Sequence, residues 1–254
     1  MSFEKELEVA QRIAHEAGRL ALENHAKGFE VETKPDGSPV TSADRASERL
    51  ITRLLAEAFP DDGLLGEEGA AREGKSGRRW IIDPIDGTKS FIRGIPTWGV
   101  LLGLEAEGNV VVGACHLPAL GELYSAAAGL GAYCNGTRIH CSSAKSLDQA
   151  MLCMSGLDKV LQLPWGERLL PWLGQFWLVR NLGGCMDAMC VASGRAEVWI
   201  TMEAKAWDLA PLKIIGEEAG ARFFNLGGKS SIYGGNGVMT VSALQDSIRR
   251  FLGL

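Results

Sequence analysis

No basic stripe and no lysine- or arginine-rich run occurs in this sequence, whose 254 residues carry a net charge of -5. That argues against nucleic acid as a partner, but not against a small phosphorylated compound whose charge bound metal ions could balance. No two cysteines have CxxC spacing, so the ligand pattern of a structural zinc site is missing. The six cysteines (Cys115, Cys134, Cys141, Cys153, Cys185 and Cys190) are scattered through apolar stretches and read as reduced, buried thiols of a cytoplasmic protein. No apolar run approaches the roughly 20 residues of a membrane span. The opening Met-Ser-Phe-Glu-Lys-Glu shows no apolar secretion-signal core. Internal repeats and low-complexity tracts are also missing. What remains is 46% apolar and 22% charged, an ordinary globular composition, long enough for one large domain or two packed lobes.

The apolar spacing predicts an amphipathic helix from Phe3 to about Ala26, with Phe3, Leu7, Ala10, Ile13, Ala14, Ala17 and Leu20 on one face. A turn cluster, Lys34 to Pro39, precedes a second helix capped by Thr41 or Ser42 and striped by Ala46, Leu50, Ile51, Leu54, Leu55 and Ala58. The period then changes. Trp80-Ile81-Ile82 reads as a short buried strand, and Trp98–Leu104 and Val110–His116 as strands paired around a turn at Glu105–Asn109. Glu122–Ala126 and Ala132–Cys134 continue a meander whose hairpin turn is Asn135-Gly136. Beyond residue 140 strands and helices alternate. Strands are expected at Met151–Met154, Glu197–Thr201 and Val238–Val241. Helices are expected at Leu169–Trp177, Cys185–Ser193, Ala210–Ala219 and a last one to Phe251. Two lobes follow, 1–140 and 141–254.

Three acidic clusters lie at the edges of apolar elements: Gly66-Glu67-Glu68-Gly69, Asp83-Pro84-Ile85-Asp86-Gly87-Thr88, and Trp207-Asp208. The middle one carries the most chemistry. Carboxylates at the end of a buried strand need a cation or hydrogen bonds to offset desolvation. Asp83, the Ile85 carbonyl and Asp86 are oxygen donors of the kind Mg2+ takes. Gly87-Thr88 then starts a turn whose free N–H groups suit an anion. An Asx-turn accounts for one of these aspartates, not for two flanking a proline. Taken singly, Glu67-Glu68 reads as a solvated loop and Trp207-Asp208 as a helix N-cap.

With these three motifs in this order and at these distances, the sequence resembles the inositol monophosphatase family over essentially its whole length. The resemblance implies an α+β fold, a five-layer α-β-α-β-α sandwich, and a homodimer. It implies two or three Mg2+ ions held by Glu67, Asp83, the Ile85 carbonyl, Asp86 and Asp208, most of them in the first lobe. Thr88 with Asp44 then looks like the pair that orients the attacking water, Lys34 like the basic residue near it, and the Gly87 and Thr88 amides like the phosphate cradle. The expected reaction is hydrolysis of a small phosphate monoester by metal-activated water, without a covalent intermediate.

Within the family, Lys89 followed by Phe91-Ile92-Arg93-Gly94-Ile95-Pro96-Thr97-Trp98 is similar to the histidinol-phosphatase branch of histidine biosynthesis. Glu203, ahead of Trp207-Asp208, fits that branch and could face a cationic amine or imidazole. Gly184 departs from it, standing before Cys185 where an acidic residue is usual. Thr201 departs from the inositol phosphatases, which carry a glutamate there. Candidate substrate contacts are therefore Asp86, Gly87, Thr88, Lys89, Arg93, Gly184, Cys185, Glu203 and Asp208. Alternatives to histidinol phosphate are an inositol or other sugar phosphate, or a 3'-phosphoadenosine bisphosphate. A metal-binding regulatory homologue without turnover is the non-enzymatic alternative.

Overall fold

Two long helices open the chain because apolar residues recur every three or four positions. The structure, a computed structural model, describes residues 2–254. Helix α1 (Glu4–Lys27) buries Ala10, Ile13, Ala14, Ala17 and Ala21. Helix α2 (Ser42–Ala58) starts at Thr41, whose hydroxyl accepts from the Ala43 and Asp44 amides. The Asp44 carboxylate returns to the Thr41 N–H at 2.8 Å, closing a reciprocal cap. Between these helices the turn cluster joins a hairpin, β1 (Val31–Thr33) and β2 (Pro39–Thr41), where the sequence pattern suggests only a turn.

An eight-stranded sheet follows: β3 (Gly63–Gly66), β4 (Ala71–Arg72), β5 (Arg78–Asp86), helix α3 (Thr88–Arg93), β6 (Gly99–Ala106), β7 (Asn109–Leu117), β8 (Glu122–Ala127), β9 (Gly131–Cys134) and β10 (Thr137–Ile139). Its order is β10-β9-β8-β7-β6-β5-β3-β4. All pairs are antiparallel except β3 with β5. The remainder supplies β11 (Met151–Ser155), α4 (Leu169–Leu173), β12 (Leu178–Arg180), α5 (Gly184–Ala192), β13 (Val198–Thr201), α6 (Ala206–Glu218), β14 (Ala221–Phe224), β15 (Gly237–Val241) and α7 (Gln245–Leu252). The strands form a second sheet in the order β12-β11-β13-β15-β14.

Strand alternation builds the layers. On β5 and β6, Trp80, Ile82, Val100, Leu102 and Leu104 pack against α1 and α2. Ile81 and Leu101 point the other way, into a core shared with α5, α6 and Trp199, Phe223 and Met239 of the second sheet. The far face of that sheet, with Leu152, Val198 and Ile200, packs against Trp172 of α4 and Ile248 and Leu252 of α7. The layers run α-β-α-β-α.

Helix α6 lies unusually close to the first sheet. Gly103 and Gly113 are paired neighbours on β6 and β7. A Cβ on Gly103 would approach the Ala210 Cβ to 2.8 Å, and one on Gly113 the Pro211 carbonyl to 2.7 Å. Two adjacent glycines thus form the seat for the start of α6.

Several boundaries differ from the sequence expectation. The turn after β6 tightens to Glu107-Gly108, both at positive φ, as a two-residue hairpin requires. Helix α4 stops at Leu173 ahead of Gly174 rather than reaching Trp177. Helix α6 begins at Ala206 rather than Ala210, so Pro211 lies inside it and the Trp207 carbonyl lacks its helical donor. The sequence pattern marks no strand at β3, β4, β12 or β14, each of four residues or fewer.

Candidate active site

Asp83 and Asp86 stand three residues apart on β5. In a regular strand that spacing sends side chains to opposite faces. Asp83 pairs with Leu101 and Asp86 with Gly99, so β5 carries one extra residue between them, a bulge containing Pro84. The extra residue restores parity and turns both carboxylates to one side. Asp83 is buried and its Oδ1 accepts the Ile85 N–H at 3.0 Å. Gly87 follows at φ 84° and starts α3, with the Thr97 carbonyl 3.2 Å from where a Cβ would stand. Its positive φ and that approach both favour glycine.

Asp208 arrives on the first turn of α6, where one oxygen accepts the Lys205 N–H at 2.7 Å. Asp83, Asp86 and Asp208 each offer an oxygen, and these oxygens all lie within 4.8 Å of one another. Glu67 follows β3, with its amide bonded to the Ile82 carbonyl at 3.1 Å, which sets it beside Asp83. Lys34 reaches across from the β1–β2 turn, its Nζ 2.8 Å from Glu67 Oε1 and 2.6 Å from Glu68 Oε1. The Thr88 hydroxyl lies 3.1 Å from Asp44 Oδ1 and 3.1 Å from the Ile85 carbonyl.

The electrostatics follow from crowding. Burial first, then the charges of Glu67, Asp86 and Asp208, push the Asp83 carboxyl well above the usual range. Burial likewise raises Asp86. Asp208 is raised to about 7, by burial and then by the charge of Asp86. Burial also raises Asp44. For Lys34, burial acts downward, but hydrogen bonds and charges from Glu67 and Glu68 outweigh it and the net shift is upward. Carboxylates that repel one another at this range form a hard-oxygen donor set, and a divalent cation such as Mg2+ fits it.

The residues proposed for substrate contact are more dispersed. Lys89 and Arg93 are exposed and form no ion pair among the described residues. Glu203 is also exposed, and its nearest cation is Lys159 at 4.0 Å. Cys185 has its thiol buried and donates its amide to Asp86 Oδ2 at 2.6 Å. A Cβ on Gly184 would come within 2.3 Å of that same oxygen. In this arrangement, Gly184 and Cys185 serve Asp86.

Two acidic residues escaped the sequence reading. Glu48 on α2 is buried, and its oxygens accept the Glu68 amide at 2.8 Å and the Ala70 amide at 2.9 Å. Its signal was present: Asp44, Ser47 and Glu48 are polar residues that extend the buried stripe of Ile51, Leu54 and Leu55. Asp187 on α5 is fully buried, with Oδ1 accepting the Leu182 amide at 2.8 Å and Oδ2 without a hydrogen-bond partner among the described residues. The only hint was a lone carboxylate inside an apolar run.

Comparison with known proteins agrees with this geometry. Residues 3–250 match the Inositol monophosphatase family. A histidinol-phosphatase of Chlorobaculum parvum is 40% identical over 238 residues, 93% of this chain and 92% of that one. A histidinol-phosphatase of Mycobacterium tuberculosis is 38% identical, covering 88% of each chain. The solved IMPase of Thermotoga maritima superposes with a TM-score of 0.87 at 30% identity, over 98% of this chain and 96% of that one. Fold, acidic centre and relatives together define a phosphoric monoester hydrolase. The chain belongs to the inositol monophosphatase family.

Proposed function

We propose that this protein hydrolyses histidinol phosphate to histidinol and phosphate in a Mg2+-dependent reaction. The observation that carries the chemistry is the convergence of Asp83, Asp86 and Asp208, with oxygens within 4.8 Å of one another. Two or three ions, held by these side chains with Glu67 and the Ile85 carbonyl, would neutralise charge on the phosphate and lower the pKa of water. Thr88, hydrogen-bonded to Asp44, orients that water for in-line attack and takes part in moving its proton. The Gly87 and Thr88 amides at the start of α3 hold the phosphate, and Lys34 keeps a positive charge at its edge.

The substrate reading rests on the Lys89–Trp98 segment and on the histidinol-phosphatase names of relatives at 40% and 38% identity. Lys89 and Arg93, exposed and without ion-pair partners among the described residues, are available to a ligand, and Glu203 offers a carboxylate to a cationic amine or imidazole. Gly184 brings no carboxylate, which keeps inositol 1-phosphate as the second reading. An apolar groove lined by Leu157, Leu161, Leu170 and Leu173 supports a second copy of the chain as partner. No helix among the described residues is long and apolar enough to cross a membrane.

The test is kcat/KM on histidinol phosphate, inositol 1-phosphate and adenosine 3',5'-bisphosphate, with and without Mg2+. Histidinol phosphate should rank first, and only with Mg2+. A value well below either competitor overturns the substrate reading, and phosphate release unaffected by a chelator overturns the metal reading.

A further inference from the structure

Glu48 lies outside the acidic centre, yet both of its carboxylate oxygens are committed to the loop that carries Glu67. We propose that Glu48 is a positioning residue for the metal centre, acting through the backbone amides of Glu68 and Ala70. This rests on the reading of Glu67 as a metal ligand.

Glu48 Oε2 accepts the Glu68 N–H at 2.8 Å and Oε1 accepts the Ala70 N–H at 2.9 Å. A carboxylate with both oxygens on amides is the partner these two donors require, because each N–H needs an acceptor. Glu48 forms no ion pair among the described residues, so these amides are its principal partners. The space has been shaped for it: a Cβ on Gly66 would stand 2.3 Å from Oε2. The same loop is tied by Gly66 N–H to the Ala70 carbonyl at 2.7 Å and by Glu67 N–H to the Ile82 carbonyl at 3.1 Å. Amides on both sides of Glu67 are therefore fixed, and its side chain is left to point at Asp83.

A helix-capping role does not account for Glu48, which sits mid-helix with its carboxylate directed away from α2. One turn earlier on the same face, Asp44 reaches Thr88. One face of α2 thus serves as a rigid wall that holds the Thr88 turn with Asp44 and the Glu67 loop with Glu48.

The experiment compares Glu48→Gln with wild type. Glutamine keeps the shape but sets an NH2 group against one of the two N–H donors. The half-saturating Mg2+ concentration for phosphate release should rise about tenfold or more, while substrate KM at saturating Mg2+ moves less than about twofold. Independently of activity, deuterium exchange at the Glu68 and Ala70 amides should quicken in the metal-free variant. Gly66→Ala, which leaves Glu48 in place but crowds its carboxylate, should shift the Mg2+ requirement the same way. If Glu48→Gln does not fold, that second variant decides alone. An unchanged Mg2+ requirement and unchanged exchange at the two amides overturn the inference, provided Asp83→Asn abolishes metal-dependent turnover. If Asp83→Asn retains full turnover, the metal reading beneath it has failed instead.

Discussion

The hydroxyl of Thr88 lies 3.1 Å from Asp44 Oδ1, joining the first turn of α3 to the first turn of α2 across 44 residues of sequence. Asp44 divides its oxygens: Oδ2 accepts the Thr41 amide of the helix cap, and Oδ1 faces Thr88. Besides closing the cap of α2, Asp44 is thus wired to the turn that opens α3.

That wiring predicts a graded series at position 88. Thr88→Ser keeps the hydroxyl and should retain most turnover. Thr88→Val keeps the shape without the hydroxyl and should lower kcat by on the order of a hundredfold, with substrate KM little changed. Equal kcat for Thr88→Val and wild type would remove Thr88 from proton handling.

Asp83→Asn is expected to keep the fold, since an amide oxygen still accepts the Ile85 N–H. It should nevertheless lose Mg2+-dependent phosphate release, on the order of a hundredfold or more, because one charged oxygen donor becomes neutral. Calorimetry should show weakened Mg2+ binding in the same variant.

Stability of the metal-free protein should depend on pH through its buried carboxyls. Asp208 is raised to about 7, and Asp83 and Asp86 shift in the same direction. A carboxyl raised on folding binds a proton that the unfolded chain has released. Its contribution to stability is complete below the ordinary carboxylate value and is lost as pH rises through the folded value. The chelated protein should therefore melt at a lower temperature near pH 8 than near pH 6, and added Mg2+ should raise the melting temperature more at the higher pH. Differential scanning fluorimetry checks this; a metal-free melting temperature that climbs over that interval contradicts it.

Gly113→Ala should destabilise the fold by about 1–3 kcal/mol, since its Cβ would meet Ile214 Cγ2 at 2.5 Å and the Pro211 carbonyl at 2.7 Å. The backbone of α6 has to lift, and it carries Asp208. Chemical denaturation measures the loss, and a rise in the half-saturating Mg2+ concentration should accompany it.

At Glu203, exposed and 4.0 Å from Lys159, Glu203→Gln should raise KM for histidinol phosphate several-fold without altering that for inositol 1-phosphate. Parallel changes for both compounds would detach Glu203 from recognition of a cationic group.

Much of this molecule is legible in its linear order. The 3.6-residue period of α1 and α2, set by the one face each helix buries, the continuous apolar runs of β6 and β7, which are buried on both faces, and the Asn135-Gly136 turn are local patterns. The Asp83–Thr88 segment marks itself because two carboxylates flank a proline at a strand end. Tertiary structure alone decided the rest. The bulge in β5 turns Asp83 and Asp86 to one side, and only the pairing with β6 reveals it. Asp208 meets them because Gly103 and Gly113 let α6 sit close to the sheet. Glu48, read along the chain as one more helical glutamate, takes its role from two amides about 20 residues away. Periodicity reports whether a side chain is buried; which distant backbone it meets depends on how the layers pack, and that is where the acidic centre of this protein is made.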